Sequence, residues 1–326
     1  MNQLITVILP VYNGEKYLNR AIDSVINQTL GFHNVCLLAI NDGGQDTSLE
    51  ILQDYHEKFP ELIQVINQEN QGVAKTRNQA IQLVKTPYLT FLDQDDYFDL
   101  DFLETLYRAA VESGAEVVSS GMRRPDNSGK VHQIIQPADT AFGKYIIVAA
   151  WAKLHRTDLL INNQIEFFDN QYGEDNVFTV KEIMSAKKWT IINYTGYNWF
   201  YNQNSVSNTK QKGLSEDDQF IKVLQKNFQN TKTVDNLFIY FMIRTTVFYL
   251  LFSGRTSSST RFIKIYNELF GYLSQIFTEN RVKSVKVPKG EKKSTGIIIK
   301  IFLALRQFHM MNIFAKFYCR GESIGK

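Results

Sequence analysis

Three carboxylates, Asp93, Asp95 and Asp96, directly follow one apolar run of this sequence, in the stretch FLDQDDYF over residues 91–98. The preceding residues, YLTFL, are typical of a buried β-strand. Aspartate is common after strands, where it starts turns and caps the next helix, and this is one interpretation of the cluster. The other is a cation site, because hard carboxylate oxygens are the ligands that Mg²⁺ and Mn²⁺ prefer.

The strand before these aspartates belongs to a regular series in the first 120 residues. Short β-branched runs predict strands: LITVILPVY, VCLLAIND, LIQVINQ, YLTFL and AEVVSSG. Helical patterns separate them, over residues 15–29, 47–58, 72–84 and 100–113. The second helix opens with a predicted capping pair, Thr47 and Glu50. Alternating strands and helices predict right-handed βαβ units and an α/β fold with a mainly parallel sheet.

In such a sheet, ligands bind beyond the carboxyl ends of the strands. Four polar stretches follow the first four predicted strands: PVYN (10–13), NDGG (41–44), NQG (70–72) and DQDD (93–96). We therefore expect them to emerge on one edge of the sheet and to meet at one crevice.

The rest of the chain carries weaker patterns. Residues 121–150 predict a loop followed by a strand or helix, and residues 165–200 predict a loop, a helix over 176–186 and the strand WTIIN. Beyond residue 213 the pattern is helical. We predict one domain over 1–212 and a mainly helical region over 213–326.

Composition and charge narrow the class of protein. With 326 residues, 44% of them hydrophobic, the chain can bury a sizeable core. Its two cysteines, Cys36 and Cys319, provide neither a disulfide framework nor a cysteine metal site, which fits a reducing cytoplasm. The apolar N-terminal stretch is too short for a signal peptide or a membrane span. Residues 281–326 hold eleven Lys or Arg and two Glu, +9, so residues 1–280 carry −6 of the net +3.

Five motifs occur together and in order: PVYNGEKYLNRAIDSVINQT, AINDGGQDTS, NQGVAKTRNQAI, YLTFLDQDD and GED at 173–175. In this order and spacing, the chain resembles the family 2 glycosyltransferases with the GT-A fold, over roughly residues 3–205. The resemblance implies an inverting transferase that moves a hexose or N-acetylhexosamine from a UDP-sugar to a glycan hydroxyl. It also implies a divalent cation, Mn²⁺ or Mg²⁺, bound with the donor. On this resemblance, residues 1–212 are the catalytic domain, with nucleotide-sugar binding in 1–120 and the acceptor side in 121–212.

The resemblance also implies roles for individual residues. Asp93 and Asp95 correspond to the DxD pair, in which Asp95 is the usual metal contact. The residues that match the nucleotide side of the family's site are Pro10, Val11, Tyr12, Asp42, Gly72 and Arg77. Of these, the first three correspond to the loop that lines the nucleobase and ribose, and Asp42 to the carboxylate that reads the uracil edge. One departure is Gly44, where relatives usually carry Ser.

On the acceptor side, Asp175 matches the carboxylate of the family's ED pair and is the candidate base, with Glu174 as an acceptor contact. The alternative is that Asp175 caps a helix beginning at Asn176. The segment WAKLHRTDLL resembles a motif near the acceptor, so Lys153 could meet the diphosphate or the acceptor, and Trp151 could stack on a sugar. His155 stands where the motif is usually aromatic, and we interpret it as a packing residue.

The C-terminal region matches no motif. GIIIKIFLALRQFHMMNIFAKF is interrupted by Lys300, Arg306 and Lys316, so it is a poor membrane span. Two interpretations are open: a basic amphipathic helix on the inner face of an anionic membrane, close to a lipid-linked acceptor, or a helix packed on the catalytic domain or in a homodimer.

Two other classes of function compete with a transferase: an inactive protein that binds a nucleotide sugar, and a sugar-phosphate nucleotidyltransferase. The complete DxD and ED motifs disfavour the first, and PVYNGEKY is a poor version of the loop expected for the second. No GxGxxG follows the first strand, which excludes a typical dinucleotide-dependent oxidoreductase. The basic tail lacks interleaved aromatic residues, so we expect no nucleic-acid partner.

Overall fold

The computed structural model describes residues 3–170, 173–202, 213–214, 220–231, 234–280 and 285–321. The chain forms two compact units. The first comprises residues 1–139 and 143–202, and the second comprises residues 140–142 and 203–326. The predicted domain boundary at residue 212 lies outside the described residues and stays a prediction.

The first unit is built on a seven-stranded sheet with the strand order β10-β6-β9-β4-β1-β2-β3. Its strands, in chain order, are β1 Ile5–Val11, β2 Val35–Asp42, β3 Ile63–Gln68, β4 Tyr88–Phe91, β6 Val117–Ser119, β9 Lys153–Arg156 and β10 Trp189–Ile191. Neighbouring strands pair in parallel except at β9, which runs antiparallel to both β4 and β6. The predicted mainly parallel sheet is confirmed.

Six helices belong to this unit: α1 Glu15–Ile26, α2 Ser48–Lys58, α3 Val73–Leu83, α4 Phe102–Ser113, α5 Thr157–Asn162 and α6 Glu174–Ser185. The four helices predicted for the first 113 residues are present. The predicted capping pair of α2 is wrong: the Thr47 side chain does not cap the helix, and its hydroxyl donates to Glu15 Oε2 at 2.7 Å. A carboxylate from α1 therefore takes the hydroxyl that local sequence assigned to the cap.

Both faces of the sheet are covered, as the continuous apolar strands require. On β1, Ile5, Val7 and Leu9 belong to a buried cluster that includes residues of α1, α2 and α4. Ile8 points the other way, into a second cluster with residues of α3, α5 and α6. Alternate residues of one strand thus enter two separate apolar layers, and this fixes the pairing register.

A second, four-stranded sheet has the order β5-β11-β7-β8. Its strands are β5 Tyr97–Phe98, β7 Met122–Pro125, β8 Val131–Ile135 and β11 Tyr197–Asn198. The loop predicted over MRRPDNSGK is wrong in part, because β7 and β8 form an antiparallel hairpin here. The strand or helix predicted for YIIVAAW is also wrong: apart from the end of a 3₁₀ turn over Gly143–Tyr145, these residues have no regular structure. They are nevertheless mostly buried, which explains their apolar character.

The second unit contains five helices within the described residues: α7 Phe220–Asn230, α8 Asn236–Gly254, α9 Ser259–Glu279, α10 Lys293–Gln307 and α11 Met311–Tyr318. The predicted helical C-terminal region is confirmed. By length and composition, α8 could cross a membrane, with a mean hydropathy of 1.6. Two thirds of it, 67%, is buried inside the protein, as in the central helix of a helical core.

Candidate active site

The carboxyl ends of β1 to β4 lie on one edge of the main sheet, because these four strands are parallel. The loops after β1 and β4 are joined directly. The Gln94 amide accepts from Tyr12 N at 2.7 Å and donates to Tyr12 O at 2.9 Å. This pair of bonds is that of an antiparallel strand partner, made by a side chain. The predicted nucleobase loop and the aspartate loop therefore form one structural piece, with half of the Tyr12 side chain exposed beside it.

The three aspartates after β4 have different surroundings. Asp96 is fully buried, and its carboxylate accepts from Tyr197 Oη at 2.6 Å and from Phe200 N at 2.9 Å. Burial and the neighbouring Asp93 and Asp95 charges raise the pKa of Asp96 well above its usual range. Asp96 therefore anchors the segment that contains β11, whereas the DxD pair stays closer to solvent.

Asp95, like Asp93, is partly exposed. Its backbone carbonyl accepts from Arg20 Nη2 at 2.8 Å. Arg20 itself lies over the Phe200 ring, with 3.8 Å between the guanidinium carbon and the ring centroid. Burial, followed by the charge of Asp93, raises the pKa of Asp95 to about 6. A half-buried carboxylate beside a second one is stabilised by a nearby cation.

Arg77 joins the aspartate loop to the predicted base. From α3, its Nη2 lies 2.6 Å from Asp93 Oδ1 and its Nη1 lies 3.4 Å from Asp175 Oδ1. The guanidinium is buried and lies 5.1 Å from the Phe167 ring centroid. Burial opposes its charge, but the Asp93 and Asp175 carboxylates outweigh this and raise the pKa of Arg77. The guanidinium therefore stays charged and spans two carboxylates 82 positions apart in the sequence.

Asp175 lies in the first turn of α6. The helix begins at Glu174, and its N-cap is Gly173, with φ of +84° and no side-chain cap. The alternative role of Asp175 as the cap of a helix beginning at Asn176 is therefore wrong. Burial raises the pKa of Asp175, partly opposed by the Arg77 charge and by a hydrogen bond from the Ala150 backbone.

Glu174 precedes Asp175 on the same turn and is also partly buried. Burial, followed by the charge of Asp175, raises the pKa of Glu174 to about 7. The helix N-terminus offers only a partial compensation for two adjacent negative charges. Two carboxyl groups with raised pKa values at one helix start are typical of a site that handles protons.

A buried polar cluster lies behind α6. His155 Nδ1 hydrogen-bonds to Glu182 Oε1, and His155 Nε2 donates to Ala150 O at 2.9 Å. Lys153 Nζ donates to Thr179 Oγ1 at 3.1 Å, and burial lowers the pKa of this lysine, opposed by Glu182 and Asp175. His155 also packs edge-on against aromatic rings, as expected, but it forms hydrogen bonds that the sequence did not indicate. Lys153 is buried in this cluster. Its contact with the diphosphate or acceptor stays a prediction.

Asp42 lies at the end of β2 and is almost fully buried. Its Oδ1 accepts from Gln68 Nε2 at 2.8 Å and from Gln71 N at 2.9 Å, and its Oδ2 accepts from Gly72 N at 2.9 Å. Gly72, with φ of +85°, starts α3 in a backbone conformation that favours glycine. Asp42 thus orders the loop that leads to Arg77, and its predicted contact with uracil stays a prediction.

Trp151 and Gly44, which the motifs also singled out, are both packed tightly against neighbouring groups. Trp151 stacks on the Tyr197 ring, with centroids 4.6 Å apart, so one face of the indole is already covered. At Gly44, a Cβ would lie 3.0 Å from Asn13 N and 3.2 Å from Asn41 Oδ1. The missing side chain at Gly44 therefore fits tight packing between the loops after β1 and β2.

A divalent cation suits the donor set at the aspartate loop. Among the described residues, no three His, Cys, Asp or Glu side chains form a ligand group for a metal ion. Two carboxylates, Asp95 and Asp93, are nevertheless sufficient protein ligands for Mg²⁺ or Mn²⁺ when substrate phosphates and water complete the shell. Burial and the charge of Asp93 raise the pKa of Asp95, and a bound cation would stabilise its ionised form.

Sequence reasoning missed several residues that hold this site together. Gln94 lies between the two motif aspartates, and Arg20 is one of several polar residues of the amphipathic helix α1. A polar residue at either position is an available signal, but neither the strand pattern nor the helical pattern says what it binds. Glu182 and Tyr197 are polar groups within buried elements, and only the tertiary structure shows their partners, His155 and Asp96.

Comparison with known proteins agrees with this arrangement. The family model described as glycosyl transferase family 2 matches residues 6–210. Glycosyltransferase GlyA of Streptococcus pneumoniae is 30% identical over 222 residues, which is 62% of this chain and 31% of that protein. The poly(ribitol-phosphate) beta-glucosyltransferase of Bacillus spizizenii is 27% identical over 60% of this chain and 32% of its own length. The chain thus spans about a third of these two relatives.

Among solved structures, Staphylococcus aureus TarS 1–349 in complex with UDP has a TM-score of 0.63 at 17% identity, covering 89% of this chain and 95% of that one. This likeness confirms the predicted GT-A-like α/β fold with a helical C-terminal region. The match to the family model covers well over half of the chain, including both the DxD aspartates and the carboxylates of α6. The chain is a member of glycosyl transferase family 2.

Proposed function

We propose that this protein is an inverting glycosyltransferase that moves a hexose or N-acetylhexosamine from a UDP-sugar to a hydroxyl of a glycan acceptor. The observation that carries the proposal is the bridge that the Arg77 guanidinium makes between two carboxylates. Its Nη2 lies 2.6 Å from Asp93 Oδ1, and its Nη1 lies 3.4 Å from Asp175 Oδ1. It joins the carboxylates suited to a donor diphosphate to a carboxylate suited to act as base. Both halves of a transfer site are thus held by one buried guanidinium.

The donor side rests on the loops after β1 to β4. Tyr12 offers an exposed aromatic face for a nucleoside, and Pro10 and Val11 offer the adjoining backbone. Gly72 is the N-cap of α3, the helix that carries Arg77. UDP is the nucleotide we propose, since the solved TarS structure of the same fold is described in complex with UDP. Asp42 contributes by fixing the loop at Gly72.

Mn²⁺ or Mg²⁺ would be held by Asp95 together with Asp93. When bound, it supplies positive charge to the diphosphate, whose negative charge increases as the sugar departs. Arg77 keeps Asp93 in place from the protein side, and Arg20 fixes the Asp95 backbone. The protein therefore positions both carboxylates before the donor arrives, which is the preorganisation that electrostatic stabilisation requires.

On the acceptor side, Asp175 takes the proton from the acceptor hydroxyl as its oxygen attacks the anomeric carbon. The new bond joins the acceptor oxygen to the anomeric carbon, and the bond from this carbon to the UDP oxygen breaks. Attack from the face opposite the leaving group inverts the configuration. A pKa raised by burial makes Asp175 a stronger base than an exposed carboxylate. Glu174 would hold a second acceptor hydroxyl.

A glycan is the acceptor class that the relatives favour. The Bacillus spizizenii relative is described as a poly(ribitol-phosphate) beta-glucosyltransferase, and we propose a comparable polymer, lipid-linked or protein-linked, made at the cytoplasmic face of the membrane in surface glycan synthesis. An inactive nucleotide-sugar binder and a nucleotidyltransferase are the alternatives. The placement of Asp175 beside the DxD loop favours the transferase over both.

The test is UDP release from a panel of UDP-sugars, with water as a slow acceptor, in Mn²⁺ or in EDTA. We expect metal-dependent release from one sugar by the wild type, a loss in Asp95→Asn, and a loss in Asp175→Asn with UDP binding retained. Asp54→Asn, on the exposed side of α2, is the matched control and keeps full release. Binding of UDP without release in the wild type, even with glycan acceptors added, would favour the inactive binder. No UDP binding at all would refute the donor assignment.

A further inference from the structure

The last two helices, α10 and α11, expose apolar side chains on their outer side. On these helices and the turn between them, the exposed side chains are Ile297, Ile298, Ile301, Phe308, Met310, Ile313 and Phe317, which we call the hairpin surface. Phe317 is 86% exposed and Phe308 is 69% exposed. Seven large apolar residues open to water within 21 positions form an unusual concentration, since exposed apolar residues are normally scattered singly.

The hairpin surface is distinct from the apolar side by which these helices pack inward. The inner face of α10 is a separate set, in which Ile299 and Phe302 are buried and Phe302 stacks on Phe270 of α9. On α11, Ala315 is buried and the Phe314 ring contacts Phe262 of α9. The two helices are therefore fixed in place by one apolar face and present a second apolar face to water.

Basic residues border the hairpin surface. Around the helix axis, Lys293 and Lys300 lie within about 60° of Ile297, and both are exposed. On α11, Lys316 is exposed and lies about 60° from Ile313 around the helix axis. Arg320, also exposed, lies two residues beyond the end of this helix at Tyr318. The exposed charge beside the apolar strip is thus positive on both helices.

The segment that carries the hairpin surface, residues 285–321, has almost no negative charge. In residues 285–321 the single acidic residue is Glu291, whose side chain is 1% exposed and lies 2.8 Å from Arg244. Arg306 turns inward and donates to Ser274 Oγ at 2.7 Å. The basic side chains that remain outside therefore have no acidic partner within the described part of this segment.

We propose that the hairpin surface binds an anionic lipid bilayer, with α10 and α11 lying in the plane of the interface. Apolar residues would enter the boundary of the acyl chains, while the lysines and the arginine contact lipid phosphates. A second copy of this chain fits less well, because pairing the surface with itself would bring like charges together. Neither helix spans the bilayer, since α10 has 15 residues and α11 has 8.

The experiment is sedimentation of the full chain with sucrose-loaded vesicles of phosphatidylcholine alone or with phosphatidylglycerol, at low and high salt. We expect the wild type to bind the anionic vesicles and high salt to weaken the binding. Ile301→Glu/Phe317→Glu should weaken binding roughly tenfold or more, because both apolar anchors are lost. Lys293→Glu/Lys300→Glu should remove the preference for anionic lipid. Val131→Glu/Ile134→Glu, an exposed apolar pair on β8, is the control and should bind as the wild type does.

Two further measurements make the result decisive. All variants change exposed side chains, so their unfolding temperatures and their UDP binding should equal those of the wild type, which separates this proposal from the donor assignment. If the wild type does not bind anionic vesicles, or if the β8 control loses binding equally, the proposal is refuted. If the hairpin variants instead convert a dimer to a monomer in sedimentation velocity, without any vesicle binding, the occupant is a second copy and the lipid assignment is wrong.

Discussion

Replacement of Glu174 by glutamine should make the metal-free protein more stable at neutral pH. Glu174 begins α6, where burial and the adjacent Asp175 raise its pKa from 4.5 to about 7. An acid with a raised pKa in the folded state favours folding below its unfolded pKa, and this contribution is lost as pH rises through the folded value. The wild type should therefore lose stability between about pH 4.5 and pH 7, the range between the two pKa values.

The size of the effect follows from the shift. With one pKa unit worth about 1.4 kcal/mol, the penalty for ionising Glu174 is about 1 kcal/mol at pH 5 and about 3 kcal/mol at pH 8. Glutamine has the same shape and no charge, so Glu174→Gln should avoid this penalty at both pH values. The unfolding temperature should rise by on the order of 5 °C at pH 8 and much less at pH 5. Turnover should fall, because the acceptor contact changes.

Thermal unfolding of both proteins at pH 5 and pH 8, without metal or nucleotide, measures this difference. Glu57→Gln, at an exposed position on α2, is the control and should change the unfolding temperature little at either pH. A variant that is destabilised at pH 8, or that is stabilised equally at both pH values, would refute the reasoning. Equal stabilisation would mean that the gain comes from packing or helix propensity and not from removal of a buried charge.

Three further predictions concern the buried polar groups. Asp96→Ala should lower the free energy of unfolding by about 3 kcal/mol, because two buried donors lose their acceptor; urea unfolding against Asp54→Ala measures it. His155→Phe should lower the free energy of unfolding by about 3 kcal/mol, because Glu182 loses its partner. Adding Glu182→Gln should recover at least half of this loss, and a larger loss in the double variant would contradict the pairing. Arg77→Lys should lower kcat/KM for the donor by about 100-fold, because one ammonium cannot span both carboxylates; equal rates would show that bridging is unnecessary.

Local pattern was sufficient to predict the first half of the fold. The apolar run VCLLAIND coincides with β2, Val35–Asp42, because a strand buried on both faces is continuously apolar and is followed by polar residues. Parallel pairing then follows from the alternation with helices, and it brings the four loops to one edge without any knowledge of contacts. The aspartates and Arg77 were found in this way and by resemblance to the family.

Local sequence patterns could not predict the second sheet or the buried hydrogen bonds between side chains. β5 and β11 have two residues each, which is too short for a periodic signal, and their pairing joins Phe98 to Tyr197 across 99 positions. YIIVAAW is apolar because it is buried, and burial alone does not impose regular structure. Partners such as Glu182 for His155 depend on which elements become neighbours, and this information is not present in either segment alone.

The bonds between Gln94 and Tyr12 have a consequence for how this protein can change. Because a single amide side chain joins the loop expected to select the nucleotide to the loop that carries the aspartates, the two loops cannot move independently. Both bonds use backbone atoms of Tyr12, so a change of the Tyr12 side chain keeps them, whereas loss of the Gln94 amide would free the loop of Asp93 and Asp95 from the loop after β1. Attempts to engineer a different donor nucleotide should therefore vary Tyr12 while Gln94 is kept, and libraries that vary Gln94 should yield mostly inactive variants.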